Sequence, residues 1–261
     1  MQDRNFDDIA DKFAQNIYGT TKGRIRQAIL WQELDALLPT LPARPLHIVD
    51  VGGGQGQIAC GLAARGHQVL LCDISGEMLQ RARANAEQQK VLANMQFKQI
   101  SAQQLAQHLD KPADLVLFHA VLEWVAAPEE ILAVLYNALA PGGILSLMFY
   151  NLHGLILQNL AHGNFGWLES GMKKRKKRTL SPDYPRDPQQ VYQWLQACGF
   201  VIERRAGIRV FHDYMHDKQQ RIDEFDRVLA METQYCRQEP FISLGRYIHV
   251  TARKPAQKDR L

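Results

Sequence analysis

The chain lacks any long apolar run: nowhere in its 261 residues is there a stretch of about 20 uncharged hydrophobic residues, the length a membrane-crossing helix needs. Its opening, Met1-Gln2-Asp3-Arg4-Asn5-Phe6-Asp7-Asp8, has no signal-peptide character, so a cytoplasmic location is expected. Cysteine is scarce as well. Cys60, Cys72, Cys198 and Cys236 are scattered without a C-x-x-C pair, two of them inside predicted core elements, which argues against disulfides and against a zinc site. No sign of charge dominates the average, with 31 Lys and Arg against 27 Asp and Glu, although the cations are unevenly placed. What remains is ordinary globular composition, long enough for one α/β domain with embellishments.

The chain is organised around Pro45-Leu46-His47-Ile48-Val49-Asp50-Val51-Gly52-Gly53-Gly54-Gln55-Gly56-Gln57, followed by apolar residues at helical spacing from Ile58 to Ala64. A short apolar run, a burst of glycines and a helix read as strand, tight turn and helix, the entrance to a nucleotide site. The G-x-G-x-x-G of dinucleotide loops is missing, because its third glycine would fall at Gln57. The pattern is instead D-x-G-x-G-x-G, from Asp50 through Gly52, Gly54 and Gly56, with Gly53 between them. A second predicted strand, Gln68-Val69-Leu70-Leu71-Cys72-Asp73, closes on an acid ~20 residues beyond the first glycines, where a carboxylate accepts hydrogen bonds from a ribose diol. Ile74-Ser75-Gly76-Glu77-Met78-Leu79 then starts an amphipathic helix.

These residues resemble the first motifs of the class I S-adenosylmethionine (SAM)-dependent methyltransferases. The resemblance implies a Rossmann-like α/β fold with a seven-stranded sheet whose last strand is antiparallel. It implies a helical cap over residues 1–44 and inserted helices after strands five (151–188) and six (212–244), all within a single methyltransferase domain spanning 1–261. The cofactor it implies is SAM, held by Gly52, Gly53, Gly54, Gly56 and Asp73. In this family the N-terminal extension meets the amino-acid end of SAM, which points to Arg26 as partner of the methionyl carboxylate, with Arg24 as the alternative. At the end of the third strand the family often carries Asp-Ala. Here Ser101 stands in place of the acid, leaving the Ala102 main chain and the Gln103 side chain as the adenine site. Strand four, Ala113 to Phe118, leads to His119-Ala120-Val121-Leu122-Glu123-Trp124, placing His119 and Trp124 over the cleft at the carboxyl ends of the strands. His119 is read as a cofactor contact or a loop anchor, with a base as the alternative.

Beyond Tyr150 the strand and helix alternation breaks. Six consecutive cations, Lys173, Lys174, Arg175, Lys176, Lys177 and Arg178, hold no core; they are a solvated loop tip or a phosphate-tracking patch, with Phe165, Trp167 and Tyr184 available to stack on bases. His212-Asp213-Tyr214-Met215-His216 mimics a zinc helix with a shortened acid, but it has no evident third ligand, and no metal is expected.

Neither the acidic-Pro-Pro-aromatic tetrad of amino-group methylating members nor a cysteine nucleophile is visible, so no catalytic residue is assigned. An acceptor already nucleophilic needs only positioning and cations. Over nearly the full length the chain resembles the bacterial members of the family that act on tRNA. That implies methylation of the carboxylate of 5-carboxymethoxyuridine at the wobble position, with the anticodon stem-loop as partner. Lys173 to Arg178 would then hold phosphates, and Tyr150, Arg209 or Arg246 would orient the carboxylate. The alternative is a small acceptor such as a quinone or phenol. A nucleotide-dependent oxidoreductase is disfavoured by Gln57 and the C-terminal strand pair, and a non-catalytic RNA-binding module would bind tRNA without turning over SAM.

Overall fold

The computed structural model describes residues 20–172 and 182–256. Residues 1–19 of the predicted helical cap and the basic run Lys173 to Arg178 lie outside these residues. Seven strands form one sheet in the order β3-β2-β1-β4-β5-β7-β6: β1 (His47–Val51), β2 (Gln68–Asp73), β3 (Met95–Gln99), β4 (Ala113–His119), β5 (Leu139–Tyr150), β6 (Val201–Ile208) and β7 (Tyr247–Arg253). β1 to β5 pair in parallel, and β7 runs antiparallel to both β5 and β6. This is the class I methyltransferase topology.

The strands read as nearly continuous apolar runs because both faces of the sheet are covered. Val49, Val116, Phe118, Leu145 and Val250 pack on one face against α4 (Pro128–Ala138) and α7 (Pro188–Ala197). Their strand neighbours Ile48, Leu115, Leu117 and Ile144 pack on the other face against α2 (Gln57–Ala64) and α3 (Gly76–Gln88). The helix α1 (Thr21–Leu37) starts where Thr20 accepts a hydrogen bond from the Gly23 N–H (3.2 Å). Its Leu34 and Leu37 join the second cluster, while Ile25, Ile29 and Leu30 meet Met148, Ala206 and Ile208. After β5 come α5 (Leu152–Ala161) and α6 (Phe165–Glu169). After β6 come α8 (Gln220–Asp223), α9 (Phe225–Tyr235) and α10 (Phe241–Leu244).

One boundary differs from the sequence reading. Ala140-Pro141-Gly142-Gly143 reads as a loop before strand five, yet β5 already begins at Leu139. A register shift against β4 absorbs the irregularity, and main-chain bonds from Gly142 to Lys254 and from Lys254 to Gly143 (both 2.9 Å) hold the segment in the sheet. Among the described residues no helix is long and apolar enough to cross a membrane.

Candidate cofactor and acceptor site

The strand order reverses between β1 and β4, and a cleft opens there over the carboxyl ends of the parallel strands. Its floor is the glycine turn. Gly52, Gly54 and Gly56 all take positive φ (+71°, +55° and +72°), a region costly for any residue bearing a Cβ. Their surroundings differ. A Cβ would lie 2.5 Å from Val121 at Gly52, 2.7 Å from the Asp50 carboxyl at Gly53 and 2.9 Å from Leu71 at Gly56, whereas at Gly54 it would meet nothing within 4 Å. Gly52 and Gly53 donate to the Cys72 carbonyl (2.7 and 3.2 Å), which ties the turn to the end of β2. Gly52, Gly53 and Gly54 line the cleft. Gly56, also expected at the cofactor, does not line it: it precedes α2 and packs beneath the turn against Leu71 and Ala82.

Asp73 ends β2 in the cleft wall, its two carboxylate oxygens accepting from the main-chain N–H groups of Gly54 (3.0 Å) and Ser75 (2.9 Å). Asp50, buried behind the turn, is pushed up to about 7 by loss of hydration and then by the neighbouring Asp73 charge. Ile100, Ser101, Ala102 and Gln103 form the next stretch of wall. Ser101 caps the short helix Ala102–His108 in a reciprocal box with Gln104, so the residue replacing the family's acid is occupied locally.

His119 at the end of β4 and Trp124 from the turn after it line the cleft, as do Arg26 and Leu30 from α1. Arg24, the alternative to Arg26, is turned elsewhere, its guanidinium 3.7 Å from the centre of the Phe225 ring. Ala120 takes φ +59° directly after His119, bending the chain so that its N–H reaches the Met148 carbonyl (2.8 Å). Arg186, on the return limb of the 151–188 segment, donates to the carbonyls of Leu122 (2.8 Å) and Val125, clamping the outer wall. His119 is held well below its ordinary range by burial, then by His249 and Arg26, which makes it a poor base at neutral pH.

Tyr150, Arg209 and Arg246 come together just beyond this cleft, although none of them lines it. Arg246 donates to the Tyr150 hydroxyl (2.9 Å) and to Asp213 (2.9 Å), and Arg209 stands 3.3 Å from the same carboxylate. The two arginines lie over the Tyr150 and Tyr247 rings (5.5 Å each), which themselves pack edge to face. Tyr150 shares a face of β5 with Met148, a cleft residue, and Tyr247 packs in the cluster containing Met148 and Ala120. Arg209 is itself strained, at φ +58°, and its buried Nε has no hydrogen-bond partner among the described residues.

Sequence reading missed Asp213 and Lys22 here. Burial alone would raise the Asp213 carboxyl, but Arg209, a hydrogen bond from His212, Arg246 and Lys22 together hold it well below the usual carboxylate range. The zinc-like motif is thus put to other use. His212 spends Nδ1 on Asp213 (3.0 Å) and Nε2 on the Thr21 hydroxyl (3.1 Å), and among the described residues no three metal-ligating side chains converge. Lys22, lowered by loss of hydration and by Arg209, Arg246 and Arg221 despite Asp213, completes a cluster with more cations than carboxylates.

A family model described as a methyltransferase domain matches residues 49–147, the stretch from β1 to β5. The tRNA 5-carboxymethoxyuridine methyltransferase of Escherichia coli (strain K12) is 59% identical over 261 residues, the whole of both chains. A trans-aconitate 2-methyltransferase of Streptomyces coelicolor is 34% identical over 117 residues, 44% of this chain and 38% of that protein. Among solved structures, magnesium protoporphyrin IX methyltransferase from Synechocystis superposes with a TM-score of 0.64 at 18% identity, covering 95% of this chain and 96% of that one, a likeness of fold. Identity that extends through the segments after β5 and β6, and not only through the strands and turns under the cleft, separates one branch from the rest: the chain belongs to the class I SAM-dependent methyltransferases, in the family of the tRNA 5-carboxymethoxyuridine methyltransferase.

Proposed function

We propose that this chain transfers a methyl group from SAM to the carboxylate of 5-carboxymethoxyuridine at the wobble position of tRNA, giving the methyl ester. The observation that carries the proposal is the full-length 59% identity to an enzyme of that name. The site supports it chemically. Bound SAM supplies a methyl on a positively charged sulfur, and displacement requires only that a nucleophilic oxygen be held in line with it. A carboxylate is already ionised, so no base is needed, in keeping with a histidine that burial keeps neutral.

In this reading Asp73 accepts from the ribose diol, Ala102 and Gln103 hold the adenine, the glycine turn passes beneath the cofactor and Arg26 pairs with the methionyl carboxylate. The open space over Gly54 is a cradle that a Cβ would fill, which suits close approach of a ligand to bare main chain. The acceptor carboxylate faces Arg209, Arg246 and Tyr150, where two arginines share one carboxylate, that of Asp213. That excess is costly unless an anion joins it, and a neutral ester product would be released from it. Lys173 to Arg178 track phosphates of the anticodon stem-loop. Phe165, 56% exposed on α6, is available to stack on a base.

Mass spectrometry of nucleosides from a strain lacking the protein tests the proposal. It predicts 5-carboxymethoxyuridine without its ester, and conversion of that tRNA to the ester by purified protein and SAM. Unchanged nucleosides in both arms would refute it.

A further inference from the structure

A line of buried polar side chains runs from the cleft to the far side of α1. His119 Nε2 lies 2.8 Å from the Ser146 hydroxyl, which lies 2.8 Å from His249 Nε2, and His249 Nδ1 faces a Glu33 carboxylate oxygen at 4.0 Å. Ser146, His249 and Glu33 are all fully buried. Glu33 is held by Arg237 (2.6 Å) on one oxygen and Arg204 (3.4 Å) on the other. The series crosses three adjacent strands, β4, β5 and β7, and ends on a helix that also lines the cleft.

The proton placement in this line is set by charge at its end. His249 Nδ1 makes no hydrogen bond among the described residues, but it faces the Glu33 carboxylate at 4.0 Å, where an N–H is attracted and a lone pair would face negative charge. His249 is pushed down to about 3 by burial and then by Arg204 and Arg237, so it holds a single proton and its Nε2 is an acceptor. The Ser146 hydroxyl therefore donates to His249, and its oxygen accepts from His119 Nε2–H. His119, also neutral, is left with a lone pair on Nδ1.

We infer that Glu33, His249 and Ser146 are positioning residues that fix His119 as the Nε2–H tautomer, so that it offers the cofactor a hydrogen-bond acceptor. The inference rests on reading the cleft as the SAM site. Of the donors on SAM, the ribose hydroxyls and the adenine amine are taken by Asp73 and by Ala102 with Gln103. The α-ammonium remains, at the same end of the cofactor as the carboxylate assigned to Arg26. A neutral acceptor suits an ammonium; the opposite tautomer would oppose it with an N–H.

Two-bond 1H–15N spectra of the full chain labelled with 15N-histidine report the tautomer directly, with His119 and His249 assigned by loss of each signal in His119→Gln and His249→Gln. The expected result is Nδ1–H at His249, Nε2–H at His119 and movement of the His119 Nδ1 resonance when SAM is added. In parallel, Ser146→Ala is expected to raise the SAM dissociation constant and KM about tenfold, with a smaller fall in kcat. An Nδ1–H tautomer at His119 in the wild-type protein overturns the inference, as does a Ser146→Ala protein that binds SAM within twofold of wild type. If Ser146→Ala does not fold, the wild-type spectra decide. Wild-type protein that binds no SAM overturns the reading of the cleft itself, an outcome separate from the tautomer result.

Discussion

Gly54→Ala and Gly56→Ala impose the same backbone strain and should fail in opposite ways. Both residues sit in the left-handed region, at φ +55° and +72°, where a Cβ costs about 1 to 2 kcal/mol. At Gly56 the added carbon would also lie 2.9 Å from Leu71 and 3.2 Å from Ala82, beneath the turn, and such overpacking costs roughly a further 1 to 3 kcal/mol. At Gly54 it would point into open space that we assign to the cofactor. Gly56→Ala should therefore lose about 2 to 5 kcal/mol, lowering the melting temperature by roughly 5 to 15 °C for a chain of this size, while SAM still raises it. Gly54→Ala should lose only about 1 to 2 kcal/mol yet show no stabilisation by SAM at concentrations that stabilise wild type. Thermal unfolding with and without SAM separates the two. If Gly56→Ala keeps its melting temperature but loses the response to SAM, or Gly54→Ala responds as wild type does, the division of the turn into packing and binding glycines is wrong.

Other consequences follow from charge. Because the Asp50 carboxyl rises from 3.8 to about 7 on folding, the folded state holds a proton that the unfolded state releases between those values. Stability of the cofactor-free protein should thus fall as pH rises from about 4 to 7, by up to about 4 kcal/mol from this group, and level off above. Urea unfolding of Asp50→Asn should show that part of the slope abolished; identical slopes in the two proteins would refute the assignment. Replacing all six residues from Lys173 to Arg178 by serine should raise the KM for tRNA and flatten the salt dependence of binding by roughly 4 in the log–log slope, with SAM affinity unchanged. Titrations over a range of potassium chloride concentrations check this, and an unaltered slope would remove the run from the RNA interface. Arg209→Gln should lower kcat/KM for tRNA by roughly 30-fold or more, about 2 kcal/mol for a lost charge-assisted contact, again without weakening SAM.

The central strands were legible because they are buried on both faces: a run such as Val69-Leu70-Leu71-Cys72 has few other places to go. The glycine turn was legible for a different reason, since its conformation and close packing forbid side chains and so leave a local trace in the sequence. The start of β5 was not. Pro141-Gly142-Gly143 carries the usual stop signals, and what overrides them is pairing with β4 and with Lys254, more than 100 residues onward.

The same physics separates the legible half of the site from the other half. Asp73 is fixed by its own strand and by a turn nearby in sequence, so spacing reveals it. Ser146 and His249 stand 103 positions apart and meet only because β5 and β7 are antiparallel neighbours, with Met148 opposite His249 in the register. No periodicity marks such a pair. Asp213 was missed for a related reason: its flanking histidines suggest a local motif, whereas the arginine that hydrogen-bonds it, Arg246, lies 33 residues away at the entrance to β7. A residue whose role is set by its immediate turn can be read from spacing. One whose role is set by a crossover can be read only once the sheet order is known, and here that includes Asp213, set by Arg246 at the entrance to β7, and the residues we propose to orient His119.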